Sequence, residues 1–166
     1  AGDPEVFWIR YNLATLMVKQ GNDTEAEAMF RDLLAQVRAS GRAGSRDEAD
    51  VLVNLSAMLE SRPDGLKESL LLGRRAVELL TQWTGAESVA VCEARHNLAR
   101  TLRTAGDLTG AEAMFREALA VAERRLPAQH DTLASIRDNL AALLRDLGRL
   151  DEAEPLARRA LEARRA

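Results

Sequence analysis

Few side chains in this 166-residue chain have a type and spacing suited to chemistry: one cysteine, two histidines and four regularly placed asparagines. Cys92 and His96 stand four residues apart, the spacing of two metal ligands on one helical face. A zinc centre takes three or four ligands and there is no second cysteine, so no metal site is expected. His130 has no carboxylate pattern around it. The chain carries no glycine-rich phosphate loop, nucleophile elbow or His-Glu-x-x-His motif. Its many Asp and Glu residues fall at capping and surface spacing rather than as a catalytic pair. No catalytic residue and no cofactor is expected.

The asparagines mark a repeat. Asn12, Asn54, Asn97 and Asn139 are each followed by Leu, at intervals of 42, 43 and 42 residues. Fourteen residues after three of them stand Ala26, Ala111 and Ala153. Repeat 2 is the exception, with one extra residue in its first turn, Arg62-Pro63-Asp64-Gly65. The segments Glu27-Ala-Met-Phe-Arg-Asp-Leu-Leu34 and Glu112-Ala-Met-Phe-Arg-Glu-Ala-Leu119 are near copies. Repetition at a fixed period of 20–50 residues is the signature of a stacked array.

Each unit must be two helices. Ala and Leu make up 55 of the 166 residues and aromatic residues only 4%, which favours helix over sheet. Leu13, Leu16 and Met17 recur as Leu98, Thr101 and Leu102 and as Leu140, Leu143 and Leu144, one stripe at helical period. Gly21, Gly106 and Gly148 stop the first helix. Thr24, Thr109 and Asp151, each with Glu three residues on, predict a capping box that starts the second. Asp3 before Pro4, and Ser45 followed by Glu48, start first helices. Pro155 falls about four residues into the last helix, near enough to its start to be tolerated. Gly73, where neighbouring repeats have Phe30, Phe115 and Ala157, predicts a packing gap. Small residues mark the places where helices approach closely: Ala14, Ser56, Ala99 and Ala141 in the first helix, Ala26, Ser69, Ala111 and Ala153 in the second.

This helix-turn-helix unit resembles the tetratricopeptide repeat, in a form longer than the usual 34 residues. The 42-residue period, the Asn-Leu-Ala entry, Gln129-His130-Asp131-Thr132-Leu133 and Glu152-Ala-Glu-Pro-Leu-Ala-Arg-Arg-Ala-Leu161 are most similar to the kinesin-light-chain type. The resemblance implies an all-α fold, a right-handed α-α superhelix of four repeats and eight helices. The repeats would span about residues 4–41, 45–84, 88–126 and 130–166 of a single domain, a piece of a longer protein.

The resemblance also implies that first helices line a concave face holding an extended peptide of a protein partner, with the chain a non-catalytic scaffold. Positions sharing a face with each Asn are Trp8, Tyr11, Asn12 and Thr15 in repeat 1, and Asp50 and Asn54 in repeat 2. Repeat 3 adds Glu93, His96, Asn97 and Arg100, and repeat 4 adds Asp138, Asn139 and Arg145. An amide both donates and accepts, so each Asn either pairs with a bound backbone or ties its helix to a neighbour. Trp8 and Tyr11 either anchor a ligand side chain or pack as the lid of the first repeat. The alternative function is a sensor or self-association segment of a larger bacterial signalling protein, such as one following an NTPase module.

Charge narrows the partners. Net charge is −3, with 10 basic against 13 acidic residues up to Trp83 and 13 against 13 after it. Arg31, Arg74, Arg116 and Arg158 form a ladder, but the interleaved acids Asp32, Glu78 and Glu117 read as an ion-paired face, so no nucleic acid is expected. With no apolar run of membrane length and a lone Cys92, the expectation is a cytoplasmic chain without a membrane partner. Leu143, Leu144, Leu147, Leu156 and Leu161 have no following helix to cover them, which predicts pairing of two copies through the last repeat.

Overall fold

Residues 3–62 and 64–165 are described by a computed structural model, and among them the chain forms eight α-helices and no strand. They are α1 (Pro4–Lys19), α2 (Asp23–Ala39), α3 (Arg46–Leu59), α4 (Leu66–Thr84), α5 (Val89–Thr104), α6 (Leu108–Arg125), α7 (Asp131–Asp146) and α8 (Leu150–Arg165). The chain divides into two compact units, residues 1–83 and 84–166. Unit 1 is built on α1–α4 and unit 2 on α5–α8.

The first helices of repeats 1, 3 and 4 end where expected. Gly21, Gly106 and Gly148 have φ of +80°, +83° and +74°, the left-handed region where a side chain is strained. At each, the next residue donates back over the turn: Asn22 to Met17, Asp107 to Leu102 and Arg149 to Leu144, all at 2.9 Å. These are the paired bonds of a Schellman stop, which satisfy carbonyls otherwise left open. So tight a turn leaves room for only one or two residues before the next helix. The second helices therefore begin earlier than predicted. Thr24, Thr109 and Asp151 lie inside them, and the caps are Asn22 and Asp107, the latter accepting from the Gly110 N–H at 2.9 Å. Glu27 and Glu112 bind arginines instead of capping.

Repeat 2 turns differently. Pro63 lies outside the described residues. Arg62 N–H donates to Leu59 and Gly65 N–H to Arg62, and a Cβ at Gly65 would meet the Leu59 carbonyl oxygen at 2.8 Å. Glycine is required there by contact rather than by φ. The other starts follow the sequence: Asp3 caps α1 through the Glu5 N–H, and Ser45 caps α3 through the Glu48 N–H. Pro155 is the sixth residue of α8, slightly deeper than predicted.

Helix pairs cross where side chains are smallest. Ala14, Ala26, Ala99, Ala111 and Ser69 have no exposure at all. In repeat 2 the Ser69 hydroxyl donates to the Ser56 carbonyl at 2.7 Å, so the polar substitute at the crossing is satisfied. Gly73 is buried in α4. In unit 2 a core of Cys92, Ala118, Val121, Ala122, Leu133 and Ile136 joins α5, α6 and α7. The predicted stripe is buried in α5 and α7, but Leu13 and Leu16 of α1 are 44% and 54% exposed. At the other end Leu143 and Leu144 pack within the unit and are buried, while Leu147 and Leu161 are exposed.

The two glycines should fail differently. Gly106→Ala meets open space, so only backbone strain remains and urea unfolding should show a loss of about 1–2 kcal/mol. Gly65→Ala must displace a backbone oxygen and should cost more than Gly106→Ala in the same assay.

Candidate functional site

The residues that the sequence singles out fall into two clusters, one in each unit. In unit 1, α1 contributes Trp8, Tyr11, Asn12 and Thr15, and α3 contributes Asp50 and Asn54. Phe7, Trp8 and Tyr11 form an aromatic group, with Trp8 edge-on to Phe7 at 5.3 Å and to Tyr11 at 5.2 Å between ring centroids, and Phe7 stacked on Tyr11 at 6.5 Å. Tyr11 also meets Phe30 of α2 edge-on at 5.7 Å, which seats its ring and leaves the hydroxyl toward α3. There the Asn54 Nδ2 donates to the Tyr11 hydroxyl at 2.7 Å and to the Asp50 carbonyl at 3.2 Å. Burial raises the Tyr11 pKa, and so does the Asp50 carboxylate, against the lowering effect of the Asn54 bond. Burial also raises Asp50, which Arg46 opposes from 3.7 Å and Asp47 reinforces. Asn12 is exposed, and Trp8 is 39% exposed.

Unit 2 repeats the arrangement with a different ring. His96 of α5 packs on Phe115 of α6 at 5.9 Å, as Tyr11 does on Phe30. Its Nε2 lies 2.9 Å from the Asn139 Nδ2 of α7. Burial lowers the His96 pKa to about 4, with Arg100 adding to the shift, so the ring is neutral near pH 7 and its Nε2 accepts from the amide. Asn97 is half-buried, and Glu93, Arg100, Asp138 and Arg145 are exposed. Glu93 accepts from the Thr132 hydroxyl at 3.4 Å, Asp138 lies 3.7 Å from Arg164, and Arg145 reaches Asp146 at 3.1 Å.

The asparagines thus divide. Asn54 and Asn139 bridge first helices of successive repeats, whereas Asn12 faces water. Sequence reasoning left such ties open as one of two readings but did not name Tyr11 and His96 as the partners, although a signal existed. Tyr11 and His96 each precede an Asn and stand 43 residues before the Asn they meet. It also missed two Arg–Glu quartets. Arg31 holds Glu27 and, through two bonds of 2.7 and 2.8 Å, Glu68, while Arg62 returns to Glu27 at 2.6 Å. In unit 2 Arg116 spans Glu112 and Glu152, and Arg149 grips Glu112 at 2.8 and 2.9 Å. Ion pairing thus occupies Arg31, Arg116 and Arg158 of the expected ladder. These pairs are largely exposed, so water and salt screen them and each is a weak contribution to stability.

Cys92 and His96 are engaged by different partners. The Cys92 thiol is fully buried and donates to the Ala118 carbonyl at 3.2 Å, and burial pushes its pKa up to about 11. Among the described residues no three His, Cys, Asp or Glu side chains gather as metal ligands. His130 caps α7, its Nδ1 accepting from the Thr132 N–H. No helix among the described residues is long and apolar enough to cross a membrane.

Comparison with known proteins adds to this geometry. The family described as tetratricopeptide repeat matches residues 65–124 and 90–166. No curated protein matches the sequence. The BtubC protein (BKLC) of P. vanneervenii superposes on 99% of the chain at TM-score 0.86 and 23% identity, and the chain spans 65% of its length. TPR-like repeats ascribed to a kinesin light chain of Podosopora anserina match 98% of the chain at TM-score 0.84 and 17% identity, over 76% of theirs. A Rap protein complexed with competence and sporulation factor matches 98% of the chain at TM-score 0.83 and 16% identity, with 44% of that protein covered. At such identities the likeness is one of fold.

Two outcomes follow for the bridges. His96 binds protons less readily folded than unfolded, since its pKa falls from 6.5 to about 4. The folded form therefore loses stability as pH drops from about 6.5 toward 4, by about 1 kcal/mol at pH 5.5 relative to pH 7. Urea midpoints at the two pH values should show this difference, and His96→Gln should reduce it. Asn54→Ala removes a half-buried bridge and should lower stability by about 1 kcal/mol, whereas Asn12→Ala should change it by less than about 0.5 kcal/mol.

Proposed function

The chain belongs to the tetratricopeptide repeat family, and we propose that it is a non-catalytic protein-interaction scaffold that binds an extended peptide on its first-helix faces. The observation that carries this reading is the Tyr11–Asn54 pair. Both Nδ2 protons of Asn54 are committed, to Tyr11 and to Asp50. What the pair offers a ligand is the Asn54 Oδ1 as acceptor and the Tyr11 O–H as donor. A peptide group presents one donor and one acceptor, so an extended backbone meets both without its side chains being read. The Asn139 Oδ1 and the His96 Nδ1–H form the matching pair in unit 2. Selectivity would come from Trp8, Asn12 and Thr15 around the first pair, and from Glu93, Asn97, Arg100, Asp138 and Arg145 around the second. Exposed aromatic and arginine side chains are frequent anchors at interfaces. The complex of a similarly folded Rap protein with competence and sporulation factor supports ligand binding by such repeats.

A sensor segment within a larger signalling protein is the second reading, favoured by the 44% of the Rap protein that the chain covers. A cytoplasmic setting suits both, since it keeps the buried Cys92 thiol reduced.

Peptide-array screening should yield extended ligands whose affinity falls at least tenfold when Asn54 and Asn97 are replaced together by Ala. Stability should fall by only about 1–2 kcal/mol, since at most a few modest hydrogen bonds are lost. An unchanged affinity per folded molecule would show that the asparagines serve only as helix ties.

A further inference from the structure

One arginine recurs in three of the four repeats, and its partner changes sign once. Two residues before the repeat asparagine stand Arg10, Arg95 and Arg137, with Leu52 in repeat 2. Twenty residues after that asparagine stand Asp32, Glu117 and Arg159. Arg10 meets Asp32 at 2.5 Å and Arg95 meets Glu117 at 3.2 Å, so in repeats 1 and 3 an acid of the second helix answers the arginine of the first. In repeat 4 a second arginine takes the place of the acid. Arg137 turns to Glu123 of α6 at 3.1 Å instead, and its Nε–H is left buried with no hydrogen-bond partner among the described residues. Arg159 is exposed and has no ion-pair partner among the described residues.

Arg137 and Arg159 line one open hollow of about 390 Å³, together with Ala128 and Gln129 from the loop before α7 and Glu162 and Ala163 from α8. Repeat 3 shows how these positions fare when another repeat is stacked behind them. There the counterparts of Ala128, Gln129, Arg159 and Glu162 are Ala86, Glu87, Glu117 and Ala120, and all four are exposed. The successor covers Val121, the counterpart of Ala163. The hollow therefore sits on an edge of the repeat that stays open inside a stacked array. No residue of it is among those proposed to bind peptide.

Two guanidinium groups around one hollow, one with an unmet donor and one without a counter-charge, call for an anion. A carboxylate is flat and meets one guanidinium fork. A phosphate monoester presents three outward oxygens, enough for forks from two different helices and for the Gln129 amide as well. Its charge of about −2 near pH 7 also stands in for the acid that repeats 1 and 3 place here. We propose that the hollow between α7 and α8 binds a phosphate monoester through Arg137 and Arg159. Turning the Arg137 guanidinium toward that phosphate satisfies its buried Nε–H. Glu162 is the opposing charge on the rim. It forms no ion pair with Arg159 among the described residues, whereas in repeat 2 the corresponding Glu78 holds Arg75 at 2.7 Å.

Calorimetric titration of the chain with blocked phosphoserine (N-acetyl, N-methylamide) and with ribose 5-phosphate should show saturable binding to a single site. Acetate and dimethyl phosphate, each with one negative charge, should bind about tenfold more weakly or worse. Arg159→Glu restores the acid of repeats 1 and 3 and should weaken monoester binding by about tenfold or more, while Tm holds or rises. Glu162→Gln should strengthen binding. Arg74→Glu, an equal charge change at an exposed arginine of unit 1, should leave it unchanged. The tighter of the two monoesters assigns the source of the phosphate, a modified protein side chain or a small phosphorylated molecule. No saturable binding, binding that survives Arg159→Glu, or an equal loss in Arg74→Glu overturns the proposal. Acetate binding as tightly as the monoesters overturns it in favour of a carboxylate, and a phosphodiester oligonucleotide binding as tightly overturns it in favour of nucleic acid.

Discussion

The structure depends on how closely two helices in a repeat can approach. Where Ala99 of α5 and Ala111 of α6 have no exposed surface, a larger side chain on either would push the backbones apart and separate the layers on both sides. That approach lets Phe115 reach under His96, and Phe30 under Tyr11. It also brings the Schellman turns close enough for Arg149 to reach Glu112. Apolar burial supplies most of the stability, and the small residues decide where that burial can occur.

The polar layer is secondary in energy and primary in registration. A bridge such as Asn54 to Tyr11 is worth about 1 kcal/mol, and an exposed arginine pair less. Yet a helix shifted by one residue against its neighbour loses the bridge, the bidentate grip and the shared glutamate together. Repeats of nearly equal apolar shape thus acquire one preferred alignment, much as a single polar position selects register in a coiled coil.

Much of this was legible in the chain because its causes are local. The asparagine period, the glycine stops and the small residues at crossings all depend on neighbours within one helix pair. The starts of α2 and α6 were misread because two polar residues compete for each cap, and only the geometry after Gly21 and Gly106 selects Asn22 and Asp107. The bridges were not legible from single helices. Their partners lie 43 residues apart, and a tyrosine and a histidine do the same work without looking alike. Exposure of the α1 stripe was hidden for a similar reason. Leu13 and Leu140 occupy the same repeat position, and only what lies against each distinguishes an open leucine from a buried one.

Cys92 gives unit 2 a built-in stopwatch. Its thiol is sealed between α5 and α6, bonded to the Ala118 carbonyl and held protonated by burial, so an alkylating reagent finds no thiolate while the pair stays closed. Modification requires the core shared by α5, α6 and α7 to open, and its pace therefore tracks how often it does. With a single cysteine in the chain, no other site contributes to the signal. The breathing of this one core can be followed without adding a label.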